Sequence, residues 1–273
     1  MDRLLFLLTL RPIVFGLIGM VVSGISFPLA GVIILRNGLI PMRYMLMHGV
    51  ILGGIFSVAL GLPLIPVVAL LNISLVLIMV VLNRSASLST ASTALMVCTM
   101  GLASMLSQVF DVPAKDTLEL LWGSPFALVR SDLFILGLLG AMTVVYVCVC
   151  FRPISMLFFD RDIARSSGVN VSVHSTLMLM ITALVVSVAM KLLGALLIDA
   201  LVVLPVLSAS KGVRSLKSMF IRSSATGLCL SLAGYFTALA LNLPVSGILA
   251  LLATVLYATK VLLTRMRNGK KEL

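Results

Sequence analysis

Long stretches without a charged residue alternate with short basic clusters along this chain. Between Arg11 and Arg36 there are 24 residues with no Lys, Arg, Asp or Glu, enough for one membrane pass, since a helix needs about 20 apolar residues to cross the hydrocarbon. From Arg43 to Arg84 the uncharged run is 40 residues, interrupted by Gly61, Pro63 and Pro66. That predicts a helical hairpin turning at 61–66, because Gly and Pro punctuate helices. Residues 85–110 and 133–151 supply a fourth and a fifth pass, and 174–190 and 192–210 are two short ones separated by Lys191. The segment 223–259 breaks at Asn242-Leu243-Pro244 into two more. The expectation is an all-α polytopic membrane protein of nine passes, or eight if one short segment is re-entrant. In either case residues 1–273 form a single transmembrane domain.

With nine alternating passes, 15 of the 20 Lys and Arg residues fall on one side and five on the other. Positive residues concentrate in cytoplasmic loops, so the N-terminus is expected outside and the C-terminus inside. The longest outer loop, 111–132, carries Asp111, Asp116, Glu119 and Asp132, with Trp122 as an interface anchor. A cleaved signal peptide is not expected, because the first apolar segment is too long and lacks a small-residue cleavage site.

Composition sharpens this picture. The chain is 61% hydrophobic and 11% charged, against about 45–50% and about 25% in soluble domains. The net charge of +11 therefore belongs to loops between apolar segments and not to a nucleic-acid-binding face. Cys98, Cys148, Cys150 and Cys229 lie inside apolar stretches without a CxxC pair, as small buried hydrophobes. The 16 methionines are scattered singly and fill packing gaps. Gly49, Gly53 and Ser57 recur every four residues and form a narrow face suited to a helix–helix contact.

No GxxxxGK[ST] phosphate loop, catalytic triad or HExxH motif occurs, and there are only two histidines. Transport is therefore favoured over catalysis, and any ATP would be used by another chain. Ionisable groups at membrane depth are costly and mark function. His48 lies early in the second pass, as either a metal ligand or a histidine satisfied by a backbone carbonyl. Asp199 lies in the middle of KLLGALLIDALVVLP, where it wants a cation; a Lys191–Asp199 ion pair is the structural alternative. Pro205 kinks that segment and frees a carbonyl one turn earlier, near Leu201. In the basic loop 152–173, Asp160 is a good N-cap, Asp162 lies in the first turn and Gly168 is a C-terminal stop. They predict a helix of about two turns outside the membrane, either a solvated connector or a partner-docking element.

These segments resemble the permeases of bacterial ABC-type zinc and manganese uptake systems. ITALVVSVAMKLLGALLIDALVVLPVLSA at 181–209 is similar to that family's most characteristic stretch, FDRDIARSSGV at 159–169 to its coupling segment, and LNLPVSGIL at 241–249 to the start of its last helix. His48 with Gly53 matches a His-Ala-x-x-x-Gly pattern. The resemblance covers essentially the whole chain. The family usually has an aspartate, preceded by glycine, four residues before that histidine; Tyr44 and Arg43 stand there instead. Asp199 occupies a position usually small or apolar, which suggests that it replaces the missing carboxylate and faces His48 across the pathway.

The resemblance implies a type II-like importer bundle in the bacterial inner membrane. It implies a second permease chain, identical or related, and an ATPase subunit on the cytoplasmic side that docks on Asp160, Ala164 and Gly168. A metal-binding protein would deliver the cargo outside, to the acidic loop 111–132. Nothing would be bound permanently; the cargo would be a divalent metal, with zinc ahead of manganese or iron because of the imidazole. An ATP-independent carrier or channel, and a membrane scaffold, are the other classes the residues allow.

Overall fold

The computed structural model describes residues 9–83, 87–112, 123–210, 212–213 and 215–269, with side chains as far as residue 264. Lys115, Asp116, Glu119 and Trp122 of the expected outer loop lie outside the described residues. The helices are α1 (Arg11–Arg36), α2 (Ile40–Leu60), α3 (Leu64–Leu82), α4 (Leu88–Val109), α5 (Arg130–Val149), α6 (Phe151–Phe159), α7 (Arg161–Ser166), α8 (Val171–Leu193), α9 (Ala195–Val202), α10 (Leu204–Ser210), α11 (Leu216–Leu241) and α12 (Val245–Gly269). Among the described residues, eight of these are long and apolar enough to cross a bilayer, and Ala195–Ser210 is a shorter apolar pair. No strand occurs among the described residues. The breaks expected at 61–66 and at 242–244 are present, whereas the one expected at Lys191 falls three residues later at Gly194, with Lys191 still inside the last turn of α8.

The seventh segment departs from a plain short pass. Pro205 has no N–H to give the Leu201 carbonyl, and the helix divides at Val203 into α9 and α10. Even as one unbroken helix, residues 195–210 would extend only about 24 Å, short of a hydrocarbon core of about 30 Å.

Backbone packing divides the chain into two compact units. The first comprises Met1–Val32, Ser124–Ala141 and Leu196–Leu273, and the second Ile33–Gly123 and Met142–Ala195.

In the first unit, α1 packs on α11 through small residues. Pro28 withholds the N–H that the Gly24 carbonyl would otherwise accept, and Gly227 of α11 lies against that carbonyl and the Pro28 ring. Beside it, the Ser224 hydroxyl donates to the Ile25 carbonyl at 2.6 Å. The fully buried Tyr235 donates to the Ile13 carbonyl at 2.6 Å, and Gly16 leaves room for its ring. Small residues permit such close approach, and with no water in lipid the hydroxyls find carbonyl partners.

In the second unit, α2 and α3 form the hairpin. Gly61 adopts a left-handed φ of 64°, the Leu62 N–H donates to the Ser57 carbonyl at 3.0 Å, and the Ser57 hydroxyl donates to the Leu62 carbonyl at 2.7 Å. This is a glycine-terminated helix end. The returning helix presents Val68 to Gly53 and Asn72 to Gly49, so the small-residue face is a helix–helix contact as its spacing predicts. α4 and α8 pack around this pair.

Large apolar side chains remain on the outside: Phe134 is 74% exposed, Val149 76% and Leu70 69%. Exposed apolar surface on this scale has hydrocarbon as its natural solvent.

Candidate functional site

His48 sits on α2, half-buried, between the buried Leu46 and the buried Gly49 and Val50. One turn earlier, at the positions where the resemblance expects glycine and aspartate, Arg43 and Tyr44 form a cation–π pair. The guanidinium carbon lies 4.7 Å from the ring centroid, and Arg43 is itself buried. A fixed positive charge and an aromatic face thus stand at the two positions. Tyr44 and His48, four residues apart, share a helix face.

Asn72 is the residue that reasoning from sequence missed. It is 1% exposed, and its Nδ2 donates to the Val68 carbonyl of its own helix at 3.2 Å. That bond sets the amide's orientation and turns Oδ1 toward Gly49 of α2, where a Cβ would collide with it. The oxygen is enclosed and receives no hydrogen bond, a situation that costs about 1–3 kcal/mol. A signal existed: in LIPVVALLNISLVLIMVVL the polar side chains are Asn72 and Ser74, and Ser74 satisfies itself on the Leu71 carbonyl at the surface.

Asp199 belongs to the first unit and His48 to the second. Asp199 is half-buried on α9, with Oδ1 enclosed and the residues on either side, Ile198 and Ala200, buried. It lies one turn before the break, and its carbonyl accepts the Val203 N–H at 3.2 Å. The Val202 carbonyl beyond it rests against Gly31 of α1, where no side chain would fit. Pro205 therefore opens the helix one turn after the carboxylate. Irregular backbone at membrane depth is tolerated where it is buried in protein or lines a cavity. Lys191 is in the last turn of α8, ahead of the turn at Gly194.

The 152–173 segment folds as two short helices. Asp160 Oδ1 accepts the N–H groups of Asp162 at 2.7 Å and Ile163 at 3.0 Å, capping α7 as its sequence predicts. Gly168 has a φ of 79°, and the Val169 N–H closes on the Ala164 carbonyl at 3.0 Å. Ala164 is fully buried, and its small side chain seats α7 on its neighbours α6 and α8. The opposite side is open: Phe159 is 83% exposed and Ile163 49%. Asp160, Ala164 and Gly168 are thus brought together in one capped turn with an exposed apolar and charged face.

Among the described residues no group of three or more His, Cys, Asp or Glu side chains is arranged to hold a metal ion. The cysteines are free; Cys98, Cys148 and Cys229 are exposed on helix surfaces.

Residues 11–264 match the ABC 3 transport family. The chain is 26% identical over 261 residues to the manganese import system permease protein ScaB of Streptococcus parasanguinis, covering 94% of this chain and 93% of that protein. It is 28% identical over 175 residues to a probable metal transport system membrane protein of Chlamydia muridarum, covering 63% and 60% of the two. Its fold superposes with a TM-score of 0.81 on PsaBC from Streptococcus pneumoniae, solved in complex with a Fab, at 24% identity and 95% and 94% coverage.

Proposed function

The chain belongs to the ABC 3 transport family, and from that membership we propose that it is the permease subunit of an ATP-driven importer of a divalent transition metal, with manganese as the cargo. Support for manganese comes from the permease of a manganese import system that matches almost the whole chain. Zinc, which the imidazole of His48 alone would put first, has no such support among the relatives named above.

The protein is a multi-pass membrane protein and its relatives are permeases, so its work is to pass an ion rather than to transform one. ATP hydrolysis belongs to a separate ATPase subunit. The capped turn 160–168 is its docking point, with Phe159 and Ile163 exposed for contact and Ala164 anchoring the turn to α8. Closure of the ATPase pair moves this turn and, through α8, the helices packed on it. A second permease chain completes the pathway, and an extracytoplasmic binding protein delivers the metal. The basic loops face the cytoplasm of a bacterial inner membrane, with the N-terminus outside.

His48 and Asp199 act as transient ligands along this path. A borderline nitrogen and a hard carboxylate suit first-row divalent ions, and few ligands are an advantage, because a saturated site would trap the ion. The observation that carries this proposal is the break at Val203 beside Asp199, a carboxylate at membrane depth next to an opened helix.

The test is radioactive manganese uptake in cells whose own manganese importers are deleted. His48→Ala and Asp199→Asn are each expected to lower uptake at least tenfold with unchanged membrane abundance. Full uptake by both variants contradicts the assignment.

A further inference from the structure

Asn72 has no part in the function proposed above, yet its carbonyl oxygen is left without a donor. Its carbonyl oxygen is buried within the second unit, has no hydrogen-bond donor, and is held in one orientation because its own NH2 is committed to the Val68 carbonyl. It presses on Gly49, the residue after His48, where the side chains of Asn72 and Leu75 meet the bare backbone of α2. A buried acceptor left without a donor calls for an explanation such as an ion or a water.

We propose that Asn72 Oδ1 is a further ligand of the transported metal, uncovered when α2 and α3 shift against each other, and that it favours manganese over zinc. The proposal rests on the permease assignment. An amide oxygen is a hard donor of the kind that suits Mn²⁺, while the imidazole of His48 serves zinc equally well. It is also neutral, so it replaces part of the ion's hydration shell without adding a charge that would hold the ion. Gly49 is what makes the ligand reachable: with no Cβ at 49, a small displacement of α2 along α3 clears the oxygen next to the position of His48. A larger residue there would cover it permanently.

The experiment uses the permease purified with its ATPase subunit and reconstituted in vesicles, with the same extracytoplasmic binding protein added for every variant and uptake of Mn²⁺ and of Zn²⁺ measured separately. Asn72→Leu, close in size and without the oxygen, is expected to lower manganese uptake tenfold or more while zinc uptake changes less than threefold. Asn72→Asp, which keeps an oxygen in place, is expected to retain manganese transport with a lower KM for manganese and an unchanged KM for zinc. Equal effects on both metals in Asn72→Leu, or no effect on either, overturn the proposal. If Asn72→Leu does not fold, Asn72→Asp decides alone, and a manganese KM that is unchanged or shifts in parallel with zinc overturns it. The manganese-to-zinc ratio reads Asn72, whereas total uptake of both metals in His48→Ala reads the assignment beneath it.

Discussion

At position 227 the absence of a side chain lets two helices meet. Pro28 leaves the Gly24 carbonyl without its helical donor, and Gly227 lies directly against it. Gly101, by contrast, has nothing near the place a Cβ would occupy. The two glycines should therefore respond to alanine with opposite signs. Gly227→Ala overpacks the contact and is expected to cost about 1–3 kcal/mol. Gly101→Ala removes backbone freedom from the unfolded chain and is expected to add about 0.5–1 kcal/mol. Thermal unfolding of the two purified variants in one detergent checks this: the midpoint falls for the first and rises for the second. Arg43 and Tyr44 belong to the same scale. Their cation–π contact gives a buried guanidinium an aromatic face.

At the scale of elements, α7 is six residues long and is held by its ends. So short a helix is not stable from propensity alone; the Asp160 cap and the seat of Ala164 keep it formed. Asp160→Ala removes two charge-assisted acceptor contacts and should destabilise the turn by about 1 kcal/mol. The expected result is a several-fold loss of co-purifying ATPase subunit with an unchanged unfolding midpoint for the membrane helices, while Asp160→Asn retains the partner. Equal recovery of the ATPase with all three chains would remove the docking role. Most elements were legible in the sequence because charge-free length, Pro-Gly punctuation and a capping aspartate are local signals. The hairpin at 61–63, the Gly49–Gly53–Ser57 face and the stop at Gly168 all follow from such signals. Asn72 was hidden for the opposite reason. Its significance lies in which atom faces Gly49 and in what that atom lacks, and neither can be read until α2 and α3 are placed in register. The relation of Asp199 to the break was half legible: Pro205 announced a kink, but not that the helix would divide at Val203 with the Val202 carbonyl lying against Gly31.

For the whole molecule, the broken segment 195–210 determines how charge is distributed across the bilayer. If it completes a crossing, the capped turn at 160–168 and the basic residues around Lys217 and at the C-terminus share one side, as the positive-inside bias requires. If it turned back, those groups would lie on opposite faces. The most direct measurement takes sealed membrane vesicles of both orientations, loaded with manganese and its extracytoplasmic binding protein and carrying the permease with its ATPase subunit. Their sidedness is scored by labelling Asp162→Cys and Lys217→Cys in a cysteine-free background. In vesicles whose exterior labels both positions, ATP added outside is expected to drive manganese out of the lumen, and vesicles of the other orientation should not respond. Manganese flux that ignores ATP, or labelling of the two positions from opposite sides, would contradict an ATP-driven importer whose motor docks beside the basic face.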